Sequence, residues 1–206
     1  MANAQPPQRR PKSADDCEGW KAFWAAQGML WRTEPEIGEE RQHYLAERRR
    51  IMPDIEKGVY PFKDVKLDRA DVEWLLATHE SRGKIGPVKW IEEKDKPEDQ
   101  WRQGVDLRGA DLRQVDLSAL PLDCIQGGLR HVDHALMLPE RSDLELPETP
   151  LATRAEASSG VHLEGAVLDE AHFEYAELNY AQLAGARLRA AHLEGAQLGA
   201  ADLAIG

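Results

Sequence analysis

From Val161 onward the chain repeats itself every five residues: VHLEG AVLDE AHFEY AELNY AQLAG ARLRA AHLEG AQLGA ADLAI. Eight of these nine units open on Ala and the first on Val161, and the third residue is Leu or Phe in every one. An earlier block of four units, VDLRG ADLRQ VDLSA LPLDC, fills residues 105–124. Apolar side chains therefore fall at positions 0, 2, 5, 7 and 10. A helix, turning about 100° per residue, would scatter them around its circumference. A straight strand would put the first pair on one side and the next pair on the other. Neither element buries the pattern, so the chain must reorient once per unit, with three extended residues and then a turn. A rotation of about 90° per unit closes a square coil after four units. Successive coils then stack at about 4.8 Å.

The A-x-L-x-x units, among them Ala110-Asp111-Leu112, Ala186-Arg187-Leu188 and Ala201-Asp202-Leu203, resemble the pentapeptide-repeat family, over thirteen units or 65 of the 206 residues. The resemblance implies a mostly β fold, a right-handed quadrilateral β-helix. Its axis would be filled by Leu107, Leu112, Leu117, Leu122, Leu163, Leu168, Phe173, Leu178, Leu183, Leu188, Leu193, Leu198 and Leu203. Members of that family differ widely in role, so the resemblance implies a fold rather than an activity. Some resemble duplex DNA in shape and charge and bind DNA gyrase.

A solenoid exposes its terminal coil and needs a cap. All six tryptophans (Trp20, Trp24, Trp31, Trp74, Trp90 and Trp101) precede the repeats, and residues 13–104 are expected to form an α-helical capping region with tryptophan in its core. A Trp-lined ligand pocket is the rival reading. Residues 1–12, rich in Pro, Gln and Arg, read as a disordered arm. The capping pattern Ser13-Ala-Asp-Asp16 predicts a helix over 14–27, with Trp20, Phe23 and Trp24 on one face and Gly28 at its end. A second helix is expected from Gly38 to Arg50. Tyr60-Pro-Phe62, Val65-Lys-Leu67 and Ala70-Asp-Val72 keep the five-residue phase and read as a degenerate lead-in, although for the last of them a helix capped by Asp68 and running to Ser81 is favoured. Residues 125–160 interrupt the repeat and are expected to leave the solenoid as a long loop.

Chemistry is harder to find. No phosphate-binding glycine loop, nucleophile elbow, HExxH or CxxC is present. Cys124 reads as a small apolar residue at a coil corner. His131 and His134 offer two ligands without a third, so no metal is expected there. Stacking at an interval of twenty places His172 under His192 and Glu174 under Glu194. Two His and two Glu so placed could bind a metal, but they read as solvated neighbours, and no metal and no cofactor are expected. The same rule sets Asp169 beside Arg189. If the loop adds no coil, it also sets Arg108 beside Glu164 and Arg113 beside Asp169.

The net charge is −11, with 26 basic and 37 acidic residues, which argues against direct nucleic-acid binding. Residues 161–206 hold seven acids and two bases, so the excess gathers on the repeats. No run of eighteen apolar residues suggests a membrane span. Two cysteines, Cys17 and Cys124, and no secretory signal fit a cytoplasmic protein. The leading expectation is a non-enzymatic scaffold for a protein partner, met through the loop (Arg130, His131, His134) and the acidic faces (Glu164, Glu174, Glu194). A DNA-mimicking inhibitor or protector of gyrase or topoisomerase is the alternative, and an enzyme or ligand site in the N-terminal region comes last. The apolar last unit also suggests end-to-end pairing of two copies.

Overall fold

The computed structural model describes residues 10–129 and 159–204. Most of the loop, including Arg130, His131 and His134, lies outside the described residues, as does most of the N-terminal arm.

Three helices open the chain. α1 (Cys17–Ala25) starts where Asp16 accepts a hydrogen bond from the Gly19 amide, and it stops before Gly28, whose φ is 80°. α2 (Glu39–Arg49) has acids in its first turn and arginines in its last, which complements the helix dipole. α3 (Arg69–Ala77) is closed by a capping box, in which Asp68 accepts from the Asp71 amide and Asp71 accepts from the Asp68 amide. It ends short of Ser81 because Arg82 and Gly83 take positive φ and turn the chain into a two-stranded ladder, β1 (Glu80–Ser81) on β2 (Lys84–Ile85). A short helix, α4 (Trp90–Glu93), and a 3-10 turn (Glu98–Gln100) lead into the repeats.

The buried carboxylate of Glu73 ties the segment after α1 to α3. It accepts from the Thr33 and Glu34 amides at 3.0 Å and from Arg69 at 2.9 Å. Trp20 and Trp24 are buried against Phe23, and the Arg32 guanidinium lies 3.6 Å over the Trp24 ring. Among the described residues no helix is long and apolar enough to cross a membrane.

The repeats form a β-helical solenoid. Parallel bridges join His162 to Gln182, Val167 to Arg187, His172 to His192, Glu177 to Gln197 and Gln182 to Asp202, each pair twenty residues apart. Four five-residue units therefore make one coil. The fifth residue of the unit takes positive φ at Gln114, Ala119, Cys124, Gly165, Glu170, Tyr175, Tyr180, Gly185, Ala190, Gly195 and Ala200. A bond such as Ala166 N to Leu163 O at 3.0 Å closes the corner. Positive φ at that place is the signature of a type II turn. Regular strands are fewer than a mostly β fold suggests. Each side is only three residues long before it turns, so it pairs through one bridge rather than a ladder.

Four features extend or correct the reading of the sequence. First, the coil begins early, where the degenerate lead-in is expected. Asp64 N bonds Gly109 O at 2.8 Å and Lys66 bridges Asp111, so 60–64 and 65–69 lie beneath the units at 105 and 110. Ala70 and Val72 instead belong to α3, as favoured. Second, the coil does not stop at Cys124. Gln126 bridges Asp106 on one side and Glu177 on the other, and Ile125 and Leu129 are buried. Third, the register across the loop is 51 residues: Asp111 bridges His162, Asp116 bridges Val167 and Pro121 bridges His172. Arg113 thus stands beneath Glu164, not Asp169, and Arg108 is not placed beside Glu164. Both arginines instead bind the aspartate two residues before them, Arg108 to Asp106 at 2.6 Å and Arg113 to Asp111 at 2.7 Å. Asp169 does meet Arg189, through the Arg189 amide at 3.1 Å, and it also pairs with Arg187 at 2.8 Å. Fourth, the axial residues from Leu107 to Leu183 are at most 3% exposed, but Leu188, Leu193 and Leu198 are half-buried and Leu203 is 42% exposed. Those four lie in the last described turn, with no further described coil above them.

The core is continuous from α3 into the solenoid. Val72, Leu75 and Leu76 pack in one cluster with Leu117, Leu122 and Phe173. Arg69 donates to the Asp116 and Ser118 carbonyls at 3.1 and 3.2 Å, which satisfies edge groups that a further coil would have taken.

Candidate functional site

One side of the solenoid is built from the units LPLDC, AHFEY and AHLEG at 120–124, 171–175 and 191–195. Second and fourth residues of a unit point outward, and the two registers stack them in columns. One column reads Pro121, His172, His192; the other reads Asp123, Glu174, Glu194. The imidazoles of His172 and His192 lie parallel, with centroids 4.5 Å apart and 9° between planes. Both direct Nδ1 toward Glu174 Oε1, at 3.1 and 3.9 Å. The three ligating atoms lie within 4.8 Å of one another.

Asp123 sits directly below Glu174 and is 7% exposed. Its Oδ2 accepts from the Trp90 amide at 3.1 Å. Its Oδ1, and Oε2 of Glu174, are buried without a nitrogen donor, and the two carboxyls hydrogen-bond each other when one of them carries a proton. Burial, followed by the carboxyl of Glu174, pushes Asp123 up to about 7. Burial also acts to raise Glu174, but hydrogen bonds with Asp123 and His172 outweigh it and hold that carboxyl below its usual range.

The segment before the repeats supplies the wall. Trp90 stacks on Tyr175 at 3.6 Å, and Trp101 meets both rings edge-on. Together with Lys89 and Lys94, Trp90 bounds a cleft of about 370 Å³ whose other side is Pro121, Asp123, His172, Glu174 and Glu194. Nearby, Cys124 occupies a corner with φ 58°. Burial and the surrounding carboxylates, Asp123 first, push its thiol up to about 12, so it is no nucleophile at neutral pH.

Of the residues expected to meet a partner, Glu174 and Glu194 come together in this column. Glu164 belongs to the unit at 161–165, two sides away, where it pairs with His162 at 3.2 Å. Arg130, His131 and His134 lie outside the described residues. Reading the sequence missed Asp123 and Tyr175, and named Trp90 only among the tryptophans of the rival pocket reading. The one available signal was the shared pattern P-x-D and H-x-E at the second and fourth positions of 120–124 and 171–175. The 51-residue register was needed to align them.

Residues 159–189 match the family described as pentapeptide repeats (8 copies). The second repeat block thus carries pentapeptide repeats. No curated protein and no solved structure matches the chain.

Proposed function

We propose that this chain is a non-enzymatic scaffold, a right-handed coil of square section. On this reading it presents columns of side chains to a protein partner in the cytoplasm and takes no cofactor for that role. The observation that carries the reading is the direction of the repeat. First and third residues fill the axis, so the polar second and fourth positions all face outward and recur at the interval of the coil. A surface of that kind recognises a partner by flat shape and charge rather than by enclosing a small molecule. The α-helical region below 60 and α3 then serve as the cap. Pull-down from the source cells with the full chain, Glu164→Lys and Glu194→Lys tests the reading. A partner lost with one variant and kept with the other supports it. Recovery of the same proteins by all three and by a blank resin counts against it.

A second reading, mimicry of DNA toward gyrase or topoisomerase, draws on the seven acids against two bases in residues 161–206. Four bridges in the column Lys66, Asp111, His162, Gln182 and Asp202 give a rod of about 19 Å at the strand spacing. A helical turn of DNA is about 34 Å, so the mimic would need two copies end to end. Inhibition of gyrase supercoiling by a protein that sediments as a dimer would favour this reading over the first. No inhibition would remove it.

A further inference from the structure

We propose that His172, Glu174 and His192 bind a divalent first-row transition ion of the zinc type, with solvent completing the coordination sphere. The inference does not rest on the scaffold reading. Imidazole and carboxylate are the ligands such ions take from proteins. Metal–ligand bonds of about 2.1 Å place tetrahedral ligands about 3.4 Å apart. The Glu174 separations from the two histidines, 3.1 and 3.9 Å, straddle that value. The three ligating atoms lie within 4.8 Å of one another, and the two imidazoles must tilt out of their parallel stack so that both ring planes meet at the ion.

Three features make this more than a meeting of surface groups. The backbone beneath the ligands is held by the His172–His192 bridge and by bonds from Phe173 N to His192 O and Tyr175 N to Glu194 O at 2.8 and 2.9 Å. A site on such a frame needs little ordering when the ion arrives. Oε2 of Glu174 is buried at the site without a nitrogen donor, and a cation beside that carboxylate would offset the cost of burying it. The cleft beside Trp90 gives the ion a path from solvent.

The solenoid carries its own control. His162 and Glu164 repeat the local His-x-Glu pairing at 3.2 Å. The column above them continues with Gln182, and beneath them Asp111 is already held by Arg113. Only at 172–192 does a second imidazole stack on the first. Among the described residues, no other trio of His, Cys, Asp or Glu converges in this way.

The test uses the full chain, stripped with chelator and titrated calorimetrically with Zn²⁺, then with Co²⁺ while visible absorption is recorded. One equivalent of Zn²⁺ and a tetrahedral Co²⁺ spectrum are expected. His192→Ala, at a half-exposed position that does not threaten folding, should weaken Zn²⁺ binding on the order of a hundredfold. Asp123→Asn should weaken it less, and His162→Ala should leave it intact. Absence of stoichiometric binding would overturn the proposal and leave Asp123 and Glu174 as a pair sharing a proton. Binding that survives His192→Ala, or that disappears with His131→Ala/His134→Ala, would overturn it equally.

Discussion

Gly195 and Gly185 hold the same place in their units, with φ 69° and 68°, yet their surroundings differ. A Cβ at Gly185 meets nothing within 4 Å, whereas one at Gly195 would lie 2.6 Å from the Tyr175 ring. That ring cannot step aside, because Trp90 stacks on it at 3.6 Å. Gly185→Ala should therefore cost only the left-handed backbone, about 1 kcal/mol. Gly195→Ala should cost about 2–3 kcal/mol through overpacking and should also shift tryptophan emission as Trp90 loses its partner. Chemical denaturation followed by fluorescence reads both. Equal costs with unchanged emission would show that the Trp90–Tyr175 stack is not what fixes the wall of the cleft.

α3 is the element that joins cap to coil, and Arg69 is its clasp. The guanidinium binds the fully buried Glu73 at 2.9 Å on one side and the carbonyls of Asp116 and Ser118 on the other. Arg69→Met keeps the length of the side chain but leaves a buried carboxylate without its nearest cation. The expected loss is about 3 kcal/mol, seen as a lower urea midpoint at unchanged slope. A change in slope would mean instead that the cap and the solenoid unfold separately. The helix itself was readable in advance. Asp68, three residues before Asp71, is a capping signature, and Val72, Leu75 and Leu76 share one face. Its attachment to the unit at 115–119 was not readable, because Arg69 and Ser118 are 49 residues apart and nothing local links them.

For the whole molecule, acid should loosen the solenoid. Asp111 is pulled down from 3.8 to about 2, first by the hydrogen bond from Arg113 and against the effect of burial. The native state then binds fewer protons than the unfolded chain between those values. Stability is present above pH 3.8 and falls as pH drops toward 2. The half-exposed Arg113 is screened by solvent, so its share is small. Arg113→Ala should flatten the fall in melting temperature across that window and change it little at pH 7. A fall of the same steepness in the variant would assign acid sensitivity to other carboxylates.

The sequence by itself determined the period, the inward residues and the turn every five residues, because each unit must bury its own Ala and Leu and no longer-range information is needed. It also determined where α1, α2 and α3 lie, from capping residues and apolar spacing. The tertiary structure alone decided which units stack across the loop. The phase of the flanking repeats shows that the insertion is not a multiple of five residues, but it does not show how many units the insertion displaces. That register, 51 residues rather than a multiple of five, sets Asp123 beneath Glu174. The packing of Trp90 on Tyr175, 85 positions later in the sequence, then encloses them. The histidines and carboxylates are local letters, but their convergence is a property of stacked coils.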